Sequence, residues 1–283
     1  MNDRLEPGIG LRLEAPAKLN LSLAVTGRRD DGFHELDSVF VLLELADRLL
    51  LMPGCSGLRV EGDAGDLPIG EANIAWRGLR AGLGSEPDLA CLTLEKRVPA
   101  AAGLGGGSSD AAAAWRLGRR WRGAPEAADA EDLEALAQIG ADVPFFAAQV
   151  AAARVTGIGQ RVEAIQPANP LEHVVLAHAG FSLSTAGVFA ELRQGDWGSG
   201  RGNDLLAPAR RLRPELDGLF ALVTAAGGEP NLTGSGPTVF VLTDDPERAQ
   251  AIAGRLERAG VRTTLTRTRT AAASIETIAE EEP

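Results

Sequence analysis

Lys18, Asn20 and Ser22 alternate with Leu19, Leu21 and Leu23 near the start of the chain. A period of two puts alternate residues on opposite faces of a strand. Residues 11–29 are therefore expected to form a strand or the start of a hairpin, with the polar groups on one face and the leucines in the core. RRDDG (28–32) reads as a turn. Residues 36–45 and 48–52 are strand-like. Residues 53–71, rich in Gly, Asp and Pro, read as loop around a short strand at 58–60. The pattern then changes to helix over 73–83, with Asn73 as a cap. It predicts a strand over 89–98, a helix over 108–122, a linker over 124–130 and a helix over 131–139. GAD (140–142) breaks the pattern before a short helix from Pro144, and 150–165 is extended, interrupted at GIG.

QPANP (166–170) predicts a boundary between two units, 1–165 and 166–283. The second unit reads as strand 173–180, helices 184–193 and 203–226, strand 237–243, helix 246–259 and strand 261–268. Such alternation implies helices laid on a sheet. RTTLTRTRT (262–270) has the character of a solvated edge strand, and AEEEP (279–283) is expected to fray.

Composition narrows the function classes. A chain of 283 residues is expected to hold two domains and a sizeable core. The net charge of −11 argues against nucleic acid or an anionic membrane as partner, so an anionic ligand must be held by local donors. Cys55 and Cys91 form no CxxC pair and no metal spacing; they read as reduced cysteines of a cytosolic protein. MNDRLEPGIG lacks the basic-then-apolar pattern of a secretory leader. The longest apolar stretch, near 143–155, contains Gln149 and Arg154 and is too short to span a bilayer. Of 28 basic residues, only Lys18 and Lys96 are lysine. A compact ammonium is not equivalent to a guanidinium, which singles out both.

Candidate chemistry centres on PAAAGLGGGSSD (99–110), between an apolar strand and an alanine-rich helix. Strand, glycine loop and helix N-terminus together bind phosphate through free N–H groups and the helix dipole. No lysine follows Gly107, so this is no P-loop. Only Gly103 and Gly105 fit the dinucleotide fingerprint, whose third glycine would stand at Ser108. The bland alternative is a linker or a helix cap.

With EAPAKLNLSLAVTGRRDDGFHEL (14–36), GADVPFF (140–146) and NLTGSGPTVFVL (231–242), the loop resembles the GHMP kinases over nearly the whole chain. The resemblance implies an N-terminal α/β domain, a C-terminal ferredoxin-like α+β domain and an active site between them. It implies ATP with Mg²⁺ and a small-molecule acceptor in the cytoplasm. PAKLNL, GFHEL and GADVPFF narrow it to kinases acting on the 2-hydroxyl of cytidine-diphosphate-linked methylerythritol, in the non-mevalonate isoprenoid route. The alternatives are a homoserine- or mevalonate-type kinase of the same family, or a nucleotide-binding protein without catalysis. Oligomeric state stays open.

The resemblance also assigns residues. Lys18 and Asp142 are the expected catalytic pair; read alone, Lys18 is an exposed edge lysine and Asp142 a helix cap. A helix N-terminus would favour the Asp142 carboxylate. Pro99, Ala100, Ala101, Ala102, Gly103, Leu104, Gly105, Gly106, Gly107, Ser108 and Ser109 would cradle ATP, and Asn73 would touch adenine or only cap. Asn20, Phe33, His34, Thr185 and Phe189 are expected at the acceptor. Phe33 stands where the family usually has Tyr, which keeps a stacking face but loses the phenol hydrogen bond. Thr233 to Gly236 would let the backbone approach the loop or the phosphates, or form only a tight strand connection. Asp110 either caps its helix or helps hold Mg²⁺ through water. No dedicated protein metal site is expected.

Overall fold

The structure is a computed structural model that describes residues 9–62, 67–84, 90–166, 172–198, 200 and 202–279. The elements in chain order are β1 (Ile9–Arg28), β2 (His34–Pro53), β3 (Gly57–Gly62), α1 (Ile74–Leu83), β4 (Ala90–Lys96), α2 (Gly106–Trp121), α3 (Ala130–Ala137), α4 (Val143–Ala147), β5 (Ala152–Gly157) and β6 (Arg161–Ala164). They continue as β7 (His173–Ala177), α5 (Thr185–Ala190), α6 (Leu206–Leu212), α7 (Glu215–Ala225), β8 (Asn231–Leu232), β9 (Val239–Thr243), α8 (Pro246–Arg258), β10 (Thr263–Arg267) and β11 (Glu276–Ala279).

The first sheet runs β11-β1-β2-β4-β3, with β5 on β2 and β6 on β5. The two strand segments expected at 36–45 and 48–52 are one strand that changes partner along its length. Leu36 to Val41 pair with β5, and Arg48 to Pro53 pair with β4. Alternation along β1 is interrupted as well. The register shifts between Asn20 and Ser22, and β1 is an inner strand between β11 and β2. Lys18 is therefore not an exposed edge residue; it is 3% exposed.

Helices α1 and α2 cover this sheet in close contact. A Cβ on Gly78 would lie 2.1 Å from the Ala111 carbonyl oxygen, so only glycine admits this approach. Leu79, Leu83, Ala113, Ala114 and Leu117 then fill one core with Leu11, Leu49, Leu92 and Leu94. The packing fixes where the N-terminus of α2 points.

The second sheet has the order β10-β7-β9-β8, with every pair antiparallel. Counted within this unit the order is 4-1-3-2 in a β-α-β-β-α-β progression, the ferredoxin-like arrangement. On one face Val175, Ala177, Val239 and Val241 meet Leu216, Leu219, Phe220, Ile252 and Leu256 of α7 and α8. On the other, Val174, Leu176 and Phe240 pack with Leu19, Val41, Leu43, Val98 and Leu104 of the first unit. The two units thus share a core, and the glycine loop emerges from it. β10 is an edge strand of this sheet, as its alternation of Arg and Thr predicts.

Several expectations need correction. The helix over 203–226 is two helices, broken before Pro214, which caps α7. The C-terminal stretch contains β11, which returns to pair with β1. The boundary motif 166–170 lies outside the described residues except for Gln166, as do residues 1–8 and 280–283 of the termini. Cys55 and Cys91 are joined as a disulfide, not reduced, with their Cα atoms 5.3 Å apart. Parallel pairing sets Cys91 opposite Gly57, two residues beyond Cys55. Register, which spacing along the chain does not reveal, brings the two together.

Candidate active site

A cavity of about 940 Å³ opens where the glycine loop, β1, β2 and the second unit meet, within the range of small-ligand sites. Lys18, Asn20, Phe33, His34, Asn73, Asp142, Thr185 and Phe189 line it, with Pro99 to Ser108. Ser109 is not on the wall; it is buried and its Oγ has no partner. Stretches some 170 residues apart in sequence are thus brought to one space.

The loop is built from short-range necessity. Gly103 and Gly105 have φ of +77° and +70°, conformations that glycine adopts freely. A Cβ at Gly103 would also sit 2.6 Å from the Thr233 carbonyl oxygen. Gly105 is the helix cap, and α2 starts at Gly106, two residues before the expected Ser108. The first intrahelical bond in the turn is donated by Ser109 N to the Gly105 carbonyl at 2.9 Å. The N–H groups of Gly106, Gly107 and Ser108 precede it and face outward from a 16-residue helix.

Lys18 sits over this turn. Its backbone N–H donates to the Leu104 carbonyl at 2.9 Å. Its Nζ donates to Asn20 Oδ1 at 2.6 Å, lies 3.3 Å from Asp142 Oδ2, and stands 4.8 Å from the centre of the Phe40 ring. The lysine side chain is 4% exposed and the aspartate 29%. Asn20 is held from behind: its Nδ2 donates to Ser38 Oγ at 2.9 Å and its backbone N–H to Thr233 Oγ1 at 3.2 Å. Asp142 occupies the cap position of α4, yet its side chain makes no capping bond. The carboxylate is directed to Lys18 and the cavity instead.

Thr233 reaches the loop, donating to the Gly103 carbonyl at 3.3 Å. Asn203, which sequence reading treated as ordinary helix, donates to the carbonyls of Leu232 and Gly234, both at 2.8 Å, and so shapes that connection. The GND run at 202–204 was its only sequence signal. Thr185 Oγ1 is 2.9 Å from Ser235 Oγ, which joins α5 to the same connection. Asn73 caps α1, accepting from Ala75 N at 2.9 Å, while lining the cavity.

At the far end, His34 stacks on Phe189 with ring centres 5.5 Å apart, and Trp197 meets His34 edge-on at 6.0 Å. Phe33 is 61% exposed. The ring stacked on Phe189 is thus that of His34, and Trp197 is a neighbour the sequence did not point to. Burial, and then Arg28, hold His34 below its usual pKa, leaving a neutral imidazole at pH 7. Asp110 neither caps α2 nor stands alone: it pairs with Lys96 at 2.8 Å.

A glycine turn at a helix N-terminus, beside a lysine–carboxylate pair on one cavity, has the parts that phosphoryl transfer needs. The comparisons agree. The chain matches the GHMP kinases N terminal domain over residues 72–149 and the GHMP kinases C terminal family over 187–262. It is 38% identical to the 4-diphosphocytidyl-2-C-methyl-D-erythritol kinase of Dinoroseobacter shibae, covering 86% of this chain and 88% of that protein. It is 37% identical to the enzyme of that name from Thermus thermophilus, covering 87% and 92%. A crystal structure of 4-(cytidine 5'-diphospho)-2C-methyl-D-erythritol kinase superposes with a TM-score of 0.76 at 34% identity, covering 91% of this chain and 99% of that one. A mevalonate kinase with a TM-score of 0.65 at 12% identity shares the fold. The chain therefore belongs to the GHMP kinases, in the family of 4-diphosphocytidyl-2-C-methyl-D-erythritol kinases, and is an ATP-dependent kinase.

Proposed function

We propose that this kinase transfers the γ-phosphoryl group of ATP to the 2-hydroxyl of 4-diphosphocytidyl-2-C-methyl-D-erythritol. The observation that carries the reading is the Lys18–Asp142 pair, 3.3 Å apart and beside the glycine loop. Asp142 accepts the proton of the hydroxyl as its oxygen attacks the γ-phosphorus and ADP departs. General base action of this kind contributes about 10²–10⁴ in rate. Lys18, oriented by Asn20, keeps the carboxylate in place and offsets charge on the phosphoryl in flight. The N–H groups of Gly106 to Ser108 receive donor phosphates. Mg²⁺ would arrive on those phosphates, whose oxygens are the hard ligands that suit it. When bound, the ion neutralises developing charge.

The acceptor's cytosine is assigned to the aromatic end, where Phe189 and Phe33 offer apolar faces and neutral His34 a hydrogen-bonding edge. Asn20 and Thr185 would hold the erythritol portion. Dependence on ATP and a nucleotide-linked acceptor supports a cytoplasmic location, to which the disulfide-bonded Cys55 and Cys91 add nothing. Among the described residues no helix is long and apolar enough to cross a membrane.

The test is a phosphorylation assay with a panel of acceptors. Removing the cytidine should nearly abolish turnover, because remote binding energy holds the hydroxyl in line. Equal use of methylerythritol phosphate, homoserine or mevalonate would overturn the assignment.

A further inference from the structure

Beneath the glycine loop lies a second buried ion cluster to which the transfer step assigns no part, although its Lys96 and Asp110 reach the cavity wall. Lys96 pairs with Asp47 and with Asp110, the latter at 2.8 Å, and the three side chains are 3%, 0% and 4% exposed. Asp47 Oδ1 accepts from the backbone N–H of Arg97 at 2.6 Å and of Val98 at 2.8 Å. These are the residues just past the end of β4, where the ladder to β2 has stopped and the loop is about to begin. Asp110 lies in the first turns of α2, beyond the other end of the loop. Lys96 Nζ lies 3.5 Å from where a Cβ on Gly106 would be. Three segments distant in sequence therefore meet at one ammonium group.

We propose that Asp47, Lys96 and Asp110 form a clasp that fixes the two ends of the glycine loop relative to each other, and thereby sets the affinity for the donor nucleotide. The loop between those ends, PAAAGLG, has only small side chains apart from Leu104 and contains two glycines in the left-handed region. Such a segment has great conformational freedom and few side-chain anchors of its own. Its N–H groups converge on one spot only if the chain is held where it enters and where it leaves. The carboxylate of Asp47 replaces the missing ladder partners at the entry, and Asp110 ties the exit to the same lysine. These are positioning residues, acting through the backbone that touches phosphate. The inference rests on the chain being an ATP-dependent kinase and not on which alcohol it phosphorylates.

The test measures ATP-analogue binding by calorimetry to the full-length protein without acceptor, then the KM values for ATP and for acceptor. Asp110→Ala cuts the tie to α2, whereas Asp110→Asn keeps an oxygen that accepts from Lys96. The alanine variant should bind nucleotide roughly tenfold more weakly or worse, since small displacements of positioning groups are costly. Its KM for acceptor should move by less than about twofold. The asparagine variant should recover most of the nucleotide affinity. Amide hydrogen exchange across 99–107 should quicken in the alanine variant alone. Should that variant not fold, Asp110→Ser takes its place with the same expectation. Normal nucleotide affinity in a folded alanine or serine variant would overturn the clasp. So would equal losses for nucleotide and acceptor, or failure of Asp110→Asn to rescue. Because the binding arm uses no acceptor, a wrong acceptor assignment leaves this test intact.

Discussion

The two lysines of the chain flank the same glycine loop, and both are buried beside carboxylates, yet they are arranged for opposite ends. Lys18 faces one carboxylate that is 29% exposed and shares the ligand cavity. Lys96 and Asp110 also reach the wall of that cavity, but Lys96 is closed in by two carboxylates, neither more than 4% exposed. A group that must meet substrate keeps one side open, so its partner can exchange a protein contact for a ligand. A group that must hold backbone in place has its charge satisfied inside the protein, where leaving one partner unpaired is expensive. Burial of a lysine thus says little about its role; the exposure of its partner says more.

The contrast can be broken most severely through chemistry. Lys18→Met and Asp142→Asn should each reduce kcat by about 10²–10⁴ while circular dichroism and melting stay near those of the parent. The double variant should be scarcely worse than the worse single, because groups acting on one step are non-additive. Additive losses would place the two in separate steps. Asn in place of Asp142 removes no capping bond, since that side chain makes none, so full activity would leave the carboxylate without a catalytic part.

Stability should show the reverse ranking. Lys96→Met leaves two buried carboxylates facing each other and should cost about 3–5 kcal/mol in urea unfolding. Lys18→Met releases Asp142 toward water and should cost about 1 kcal/mol or less from the lost ion pair. Equal losses would mean that the two lysines do not differ as their surroundings indicate.

The smallest effect is a slope with pH. Burial, and then the neighbouring Asp47, hold the Asp110 carboxyl well above the ordinary carboxylate range although Lys96 opposes this. Above the ordinary value the unfolded chain has released a proton that the folded chain retains. The contribution of Asp110 is therefore fully present below its unfolded pKa of 3.8 and is lost as pH rises toward the folded value. Asp110→Asn should remove this slope, which is at most about 1.4 kcal/mol per pH unit. Stability curves of the two proteins that run parallel over acidic pH would show that Asp110 titrates normally.

Much of the fold and the site was legible in the sequence. The period of two at Lys18 to Leu23, the change to helical spacing after Asn73 and the glycine run between strand and helix each express a short-range constraint of the backbone. Those constraints placed β1, α1, β4 and α2 to within a few residues, and family motifs pointed to Lys18, Asp142 and the loop. The register shift after Asn20 escaped notice, because a bulge depends on the partner strand. So did the continuity of β2, which changes neighbours partway along. Cys55 and Cys91 looked independent until parallel pairing of β3 and β4 set them side by side. The sequence marked Lys96 only by its rarity. Its partners Asp47 and Asp110 lie 49 positions before and 14 after it, and Asn203 reaches Leu232 and Gly234 across a loop and two helices. The sequence by itself determined most of the strands and helices and where a glycine turn meets a helix N-terminus, since these follow from local sterics and side-chain period. Only the tertiary structure decided which charges face one another and which of them still meet water, because pairing and burial depend on distances through space that spacing along the chain does not set.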